Sequence, residues 1–215
     1  MARVWMHNGF LQVEGEKMSK SLDNFITVNE LLRTDTFGGR SWPGEVLPLA
    51  MLMTHYRQPI DFAVRTLEIA EKTLNGWYRI VGDCAAAGGD AAGDEVHAAL
   101  CDDLNTPEAI ARLFAACDAA RDGGEGGAAR FKAAANQLGL LERTETAWRQ
   151  ELVSGVDVDE AKVEALIAER LAARKAKDWA QSDRIRDELG AMGIQLKDSK
   201  DPASGEIVTT WDVKR

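Results

Sequence analysis

Short runs of extended, β-rich pattern lie at the two ends of this chain, and helical periodicity fills the middle. Residues 3–6 and 10–13 read as two short strands turned at His7-Asn8-Gly9. Two strands bury little alone, so they read as the last strands of a larger sheet. Thr27-Val28-Asn29-Glu30 has the spacing of a capping box and opens a helical segment that Gly38-Gly39 closes. Trp42-Pro43 starts the next helix, with Leu47, Leu49, Met51, Leu52 and Met53 apolar and Pro48 tolerated only near its beginning. That helix stops before Pro59. Over residues 63–81, Val64, Leu67, Leu74, Trp77 and Ile80 recur at helical spacing. Residues 85–93, rich in alanine and glycine, read as a flexible connection. A helix begins at Glu95, and Asn105 or Thr106 caps another with Pro107 in its first turn and Ile110, Leu113, Phe114 and Cys117 on its buried face. After a glycine-rich loop at 122–127, residues 131–141 form one more helix, ending near Gly139. A helical bundle over 41–150 follows from this pattern.

The last third changes character. Residues 159–177 are strongly helical, with Val163, Leu166, Ile167 and Leu171 as the apolar stripe and Arg170, Arg174, Lys175 and Lys177 crowding the C-terminal half. A second helix over 178–189 places Trp179, Ser182, Ile185 and Leu189 on one side and Arg184 and Arg186 on the others. Gly190 and Gly193 end it, residues 194–196 read as a short strand, 202–205 as a turn, and 207–211 as a β-branched, aromatic strand. Residues 151–215 should therefore form a small α+β module, and the fold class is mainly α.

Composition narrows the options. The 215 residues, 45% hydrophobic and 28% charged, allow one or two ordinary folded domains. A net charge of −9 argues against a general, non-specific nucleic-acid binder, while leaving room for recognition of one RNA through local basic faces. Cys84, Cys101 and Cys117 are odd in number and widely spaced, which disfavours a disulfide framework and fits a cytoplasmic protein. No apolar run is long enough to span a bilayer, and no signal-peptide pattern opens the chain. Asp102 and Asp103 read as helix-dipole partners before a metal pair, and Cys117 as core before nucleophile.

The stretch that carries chemistry is Glu16-Lys17-Met18-Ser19-Lys20-Ser21, with Gly15 before it and Leu22-Asp23-Asn24-Phe25 behind. Two lysines put two mobile ammonium groups on one polar loop, and two serines add hydroxyls. Such a loop suits a polyphosphate whose charge grows during reaction. Alone, a K-x-x-K is more often a solvated turn. The full pentapeptide Lys17–Ser21, between a strand and a capped helix, resembles the KMSKS signature loop of class I aminoacyl-tRNA synthetases.

WMHNGFL before EKMSKS, THYRQPIDF, ALCDDLNTPEA and KDWAQSDRIRDEL with GIQLKD together resemble the cysteinyl-tRNA synthetase family, in the family's order and over nearly the whole chain. The resemblance implies three parts: 1–40 as the end of a class I catalytic domain with the KMSKS loop, 41–150 as a tRNA-binding helical bundle of DALR type, and 151–215 as an anticodon-binding module. It implies ATP (with Mg) at Lys17, Met18, Ser19, Lys20 and Ser21, with Lys17 and Lys20 stabilising the pyrophosphate leaving group and Lys20 as the principal contact. It implies cysteine tRNA as partner, with Arg174, Lys175, Lys177, Arg184, Arg186 and Trp211 as candidates for phosphate, edge and stacking contacts. For each of these, a solvated helix face or a core tryptophan is the competing reading.

Two departures matter. The family usually carries glycine where this chain has Asp23, an anion beside a polyphosphate loop. The resemblance also begins near the end of the catalytic domain, without the family's H-x-G-H-type motif or the zinc cluster that grips the substrate thiol. His7 lacks the second histidine of that motif, and Cys84, Cys101, Cys117 and the three histidines do not replace the zinc ligands. The chain alone is therefore expected not to activate cysteine without an N-terminal catalytic half. Two other readings compete: a free-standing, non-catalytic tRNA-binding paralogue, and a related ligase that joins cysteine to an amino sugar. The anticodon-like module counts against the latter.

Overall fold

The computed structural model describes residues 3–87, 94–123, 126–153, 160–176, 178–200 and 207–213. It divides into two compact units, Met1–Arg149 and Gln150–Arg215. The expected turn at 202–205, Lys177 and most of the 85–93 connection lie outside the described residues.

In the first unit the sheet differs from the sequence expectation. Its strands are β1 (Leu11–Val13), β2 (Glu16–Lys17) and β3 (Ile60–Phe62), in the order β2-β1-β3. β1 pairs antiparallel with β2 (Gln12 opposite Lys17) and parallel with β3 (Gln12 opposite Asp61). The hairpin reverses at Glu14-Gly15 and not at His7-Asn8-Gly9, and it takes the two successive positive φ angles of a type I′ turn. Glu14 (51°) and Gly15 (80°) supply them. Residues 3–6 are not a strand. Val4, Trp5 and Met6 are exposed there. Gly9 serves a different purpose, donating its N–H to Tyr56 O at 2.7 Å. A Cβ at Gly9 would sit 2.0 Å from Gln58 O, so only glycine lets the two backbones approach.

Helix α1 (Val28–Arg33) begins with the expected capping box. Glu30 N–H donates to Thr27 Oγ1 at 3.2 Å, and Thr27 N–H donates to Glu30 Oε2 at 2.8 Å. That contact holds the Glu30 carboxyl below its ordinary range, the Thr27 backbone N–H being the main cause. Helix α2 (Val46–Leu52) carries Pro48 in its first turn, where the missing N–H costs nothing. Helix α3 (Val64–Val81) is the spine, burying Leu67, Ala70, Leu74, Trp77, Tyr78 and Val81 on one face. Around it lie α4 (Asp94–Cys101), α5 (Thr106–Arg121), α6 (Gly127–Asn136) and α7 (Glu145–Val153), the last unanticipated from sequence. Trp77 meets Phe131 and Phe114 edge-on at 5.6 and 5.2 Å, and Tyr78 stacks on Trp148 at 4.9 Å. Phe114, expected in the core, keeps its outer surface exposed. Buried Tyr78 donates to Glu45 Oε2 at 2.6 Å, and both burial and that bond raise its pKa.

The second unit holds α8 (Glu160–Lys175), α9 (Trp179–Ala191), β4 (Ile194–Lys200) and β5 (Ile207–Val213), with β4 and β5 antiparallel. Asp178 caps α9 by accepting from Gln181 N–H at 3.0 Å. Val163, Ile167, Ile185, Leu189, Ile194 and Trp211 form its core. Both strands run longer than sequence pattern indicated. Lys197, Asp198 and Ser199, beyond the strand expected at 194–196, pair across to Thr210, Thr209 and Val208.

Two glycine substitutions should move stability in opposite directions. Gly9→Ala is expected to lower unfolding free energy by about 2 kcal/mol or more, since backbone must move. Gly76→Ala, in the α3 interior where a Cβ meets nothing within 4 Å, should raise it by about 0.5–1 kcal/mol. Denaturant midpoints of the two variants check this.

Candidate functional site

The loop after β2 is held in one shape by side chains of its own. Met18 N–H donates to Leu11 O at 3.2 Å, extending the hairpin ladder by one residue. Lys20–Leu22 then makes a single 3-10 turn. Asn24 clasps the loop backbone at Lys17 and Ser19: its Oδ1 accepts from Ser19 N–H at 2.8 Å, and its Nδ2 donates to Lys17 O at 3.2 Å. Ser19 Oγ and Ser21 Oγ lie 3.2 Å apart. Lys17 and Lys20 are exposed, and Lys17 Nζ sits over the Phe10 ring at 5.2 Å. A fixed backbone with two free-ended ammonium groups can gather a polyphosphate without first ordering the loop.

Asp23 closes the 3-10 turn at φ 50°, ψ 28°, donating its N–H to Lys20 O at 3.4 Å. The left-handed conformation is open to glycine at no cost, and aspartate is among the few other residues that enter it. Aspartate therefore takes a left-handed conformation that glycine would also adopt, and it adds an exposed carboxylate beside the lysines.

Beneath the loop, the turn is tied to β3 and to the start of α3. Gly15 N–H donates to Asp61 Oδ1 at 2.9 Å, and Val64 N–H donates to Glu14 Oε1 at 2.8 Å. On the same unit, Asp103 gathers Tyr56 and Arg57. Tyr56 Oη and Arg57 Nη2 donate to Asp103 Oδ1 at 2.7 and 2.8 Å, and Arg57 Nε donates to Tyr56 Oη at 2.8 Å. The Tyr56 hydroxyl is the main reason the Asp103 carboxyl is held below its usual range, with Arg57 adding to it. Asp103 is thus a structural acceptor, and His55 stacks on Tyr56 at 4.8 Å beside it. Among the described residues, no group of three or more His, Cys, Asp or Glu side chains is placed to hold a metal ion.

In the second unit the basic candidates separate. Arg174 is committed to Asp198, and Arg186 lies beside Asp183 at 3.1 Å and Asp187 at 3.7 Å. Lys175 and Arg184 are exposed. Trp211, only 8% exposed, is a core residue, so it offers no face for a base to stack on. Sequence reasoning missed Trp179, assigned to the buried side of α9. It stands at the first position of that helix, 59% exposed. Its place at the first position of the helix was the available signal, because the buried stripe begins one turn later at Ser182. Arg170, 8% exposed at its side chain, forms a bidentate pair with Asp198 at 3.0 and 2.9 Å. Thr209 Oγ1 donates to the same carboxylate at 2.7 Å.

Residues 1–72 match a family model described as tRNA synthetases class I (C) catalytic domain, 95–142 match the DALR domain, and 160–203 match the cysteinyl-tRNA ligase anticodon binding domain. Fold and loop together define part of a class I aminoacyl-tRNA synthetase. Proteins named cysteine–tRNA ligase match over this entire chain. Those of Mesorhizobium japonicum, Rhizobium etli and Chelativorans sp. are 57%, 55% and 52% identical over 215, 219 and 215 residues. The chain belongs to the cysteinyl-tRNA ligase family and corresponds to the C-terminal portion of its members. It spans less than half the length of these curated relatives, 42%, 43% and 43% respectively. A non-catalytic, free-standing paralogue is not favoured by such relatives, and the anticodon-binding match counts against the amino-sugar ligase reading.

The Asp198 carboxyl is held well below the usual carboxylate range, chiefly by the Arg170 hydrogen bonds, with Thr209 and Arg174 adding to them and burial opposing. A depressed folded pKa means that this stabilisation is complete above the unfolded value of about 3.9. It is lost as pH falls from there toward the folded value. Asp198→Asn should flatten the fall in stability of this unit below about pH 4. At neutral pH it should cost about 3 kcal/mol, the low end for a broken buried pair. Tryptophan fluorescence, with Trp211 as the buried reporter, followed against denaturant at several pH values checks both.

Proposed function

We propose that this chain supplies the KMSKS loop and the tRNA-reading parts of a cysteine–tRNA ligase, which joins cysteine to its tRNA at the expense of ATP. The observation that carries the reading is the Asn24-clasped loop, which presents Lys17 and Lys20 to solvent from a fixed backbone. ATP, with magnesium, supplies the phosphoanhydride whose cleavage forms the adenylate. Lys17 and Lys20 neutralise the charge that grows on the pyrophosphate as that bond opens, and Met18, Ser19 and Ser21 shape the loop that aims them. Lys20, at the head of the 3-10 turn, is the principal contact. The Asp23 carboxylate beside it weakens this attraction, more at low salt than at physiological salt.

Residues 1–40 are proposed as the end of the catalytic domain, 41–150 as the helical part that follows the tRNA, and 151–215 as the anticodon-binding module. In that module, Trp179 offers the stacking face first assigned to Trp211. Lys175, Lys177, Arg184 and Arg186 are the candidate cations for RNA phosphates, and Arg174, held by Asp198, is a further one. Activation of cysteine is assigned to the part of the relatives that this chain does not span, so the chain alone should not catalyse cysteine-dependent pyrophosphate exchange. The proposed site of action is the cytoplasm. Among the described residues no helix is long and apolar enough to cross a membrane.

The two ends of the reading separate by mutation in a full-length form. Lys20→Ala should slow adenylate formation by about 100-fold or more while changing the Kd for cysteine tRNA less than about 3-fold. Trp179→Ala should weaken tRNA binding about 5- to 100-fold and leave adenylate formation near its original rate. Equal losses of both functions in either variant contradict the assignment. Pre-steady-state adenylate formation and filter binding are the measurements.

A further inference from the structure

Two acidic residues outside the lysine loop fasten its base to the longest helix. The Glu14-Gly15 turn sits where β3 ends and α3 begins. Ala63, the residue before α3, caps nothing with its side chain. The first-turn amide of Val64 is satisfied instead by Glu14 Oε1 at 2.8 Å, fifty positions away in sequence. A carboxylate there also meets the positive end of an 18-residue helix. In the reverse sense, Asp61 on β3 accepts the Gly15 N–H at 2.9 Å. The two bonds cross: the turn's side chain holds the helix's backbone, and the strand's side chain holds the turn's backbone. Lys17 lies only two residues beyond Gly15, on the strand the turn controls.

We propose that Glu14 and Asp61 are positioning residues for Lys17 and Lys20, locking the hairpin to the first turn of α3 so that loop and helix move as one body. This rests on the reading of the loop as the polyphosphate site. Parallel pairing of β1 with β3 fixes the strand's register. It leaves the turn beyond Val13 free to pivot, and the crossed pair removes that freedom. A shift of the helical bundle when RNA binds is then carried to the lysines, and polyphosphate binding is carried back to α3.

The test uses amide hydrogen exchange on the whole chain, with Glu14→Ala, Asp61→Ala, and the acceptor-retaining Glu14→Gln and Asp61→Asn. Each alanine variant should speed exchange over residues 17–22 about 3- to 10-fold, and the glutamine and asparagine variants should restore the original rate. Exchange in α5 should not change, which separates local release from general destabilisation. In a full-length form, the alanine variants should lower kcat of cysteine-dependent pyrophosphate exchange by a similar factor with KM for cysteine unchanged. Unaltered exchange over residues 17–22 in both alanine variants overturns the proposal, as does an unaltered kcat alongside faster exchange. A Lys20→Ala variant with normal pyrophosphate exchange would instead overturn the loop's assigned chemistry, leaving the lock to be judged by hydrogen exchange alone.

Discussion

Between Val13 and Glu16 the chain reverses in two residues, both at positive φ, and the rest of the first unit is built on that reversal. It makes β1 the centre of a three-stranded sheet, antiparallel to β2 on one side and parallel to β3 on the other. A parallel neighbour requires a crossover, and the crossover here is residues 14–59, which hold β2, the lysine loop, α1 and α2. Loop and bundle are therefore joined through one ladder. Gly9 completes that ladder by permitting a backbone contact that no side chain could allow. The lysine loop thus inherits its position from hydrogen bonds, while its chemistry stays with side chains that remain in water.

The second unit depends on a different centre. Asp198 stands on β4 and accepts from Arg170 and Arg174 of α8 and from Thr209 of β5. One carboxylate thereby joins the helix to both strands of a module whose apolar core is small. Pairing satisfies the charge of the half-buried group, and the cost of removing either partner is large because the other would remain desolvated. The arginines nearest the strands are spent on this architecture. The exposed aromatic at the start of α9 and the exposed cations of both helices remain for the recognition proposed above.

Much of the helical order was legible because periodicity and caps agree: the Thr27 box, the Asn105 cap before Pro107, and the Asp178 cap all stand where local rules put them. The short strands were not legible. β3 is three residues between a proline and a helix, and it exists only because β1 pairs with it across nearly fifty positions. The turn at Glu14-Gly15 was hidden by His7-Asn8-Gly9, a better local turn sequence whose glycine answers a tertiary need. In the candidate site, Lys17 and Lys20 could be read from the motif. Asn24, Glu14 and Asp61 could not, because their roles are contacts to backbone atoms, two of them distant in sequence. The exchange of Trp211 for Trp179 has a similar cause: an aromatic in a β-branched strand and one beside a helix cap look alike until burial distinguishes them.

The most direct measurement is a titration of this chain with cysteine tRNA and with the same tRNA carrying a changed anticodon, at low and moderate salt. Tighter binding of the correct anticodon is expected at both salt concentrations, with the preference preserved as overall affinity falls. Equal affinity for the two tRNAs, falling together with salt, would mean that the second unit meets only the RNA backbone and does not read the anticodon.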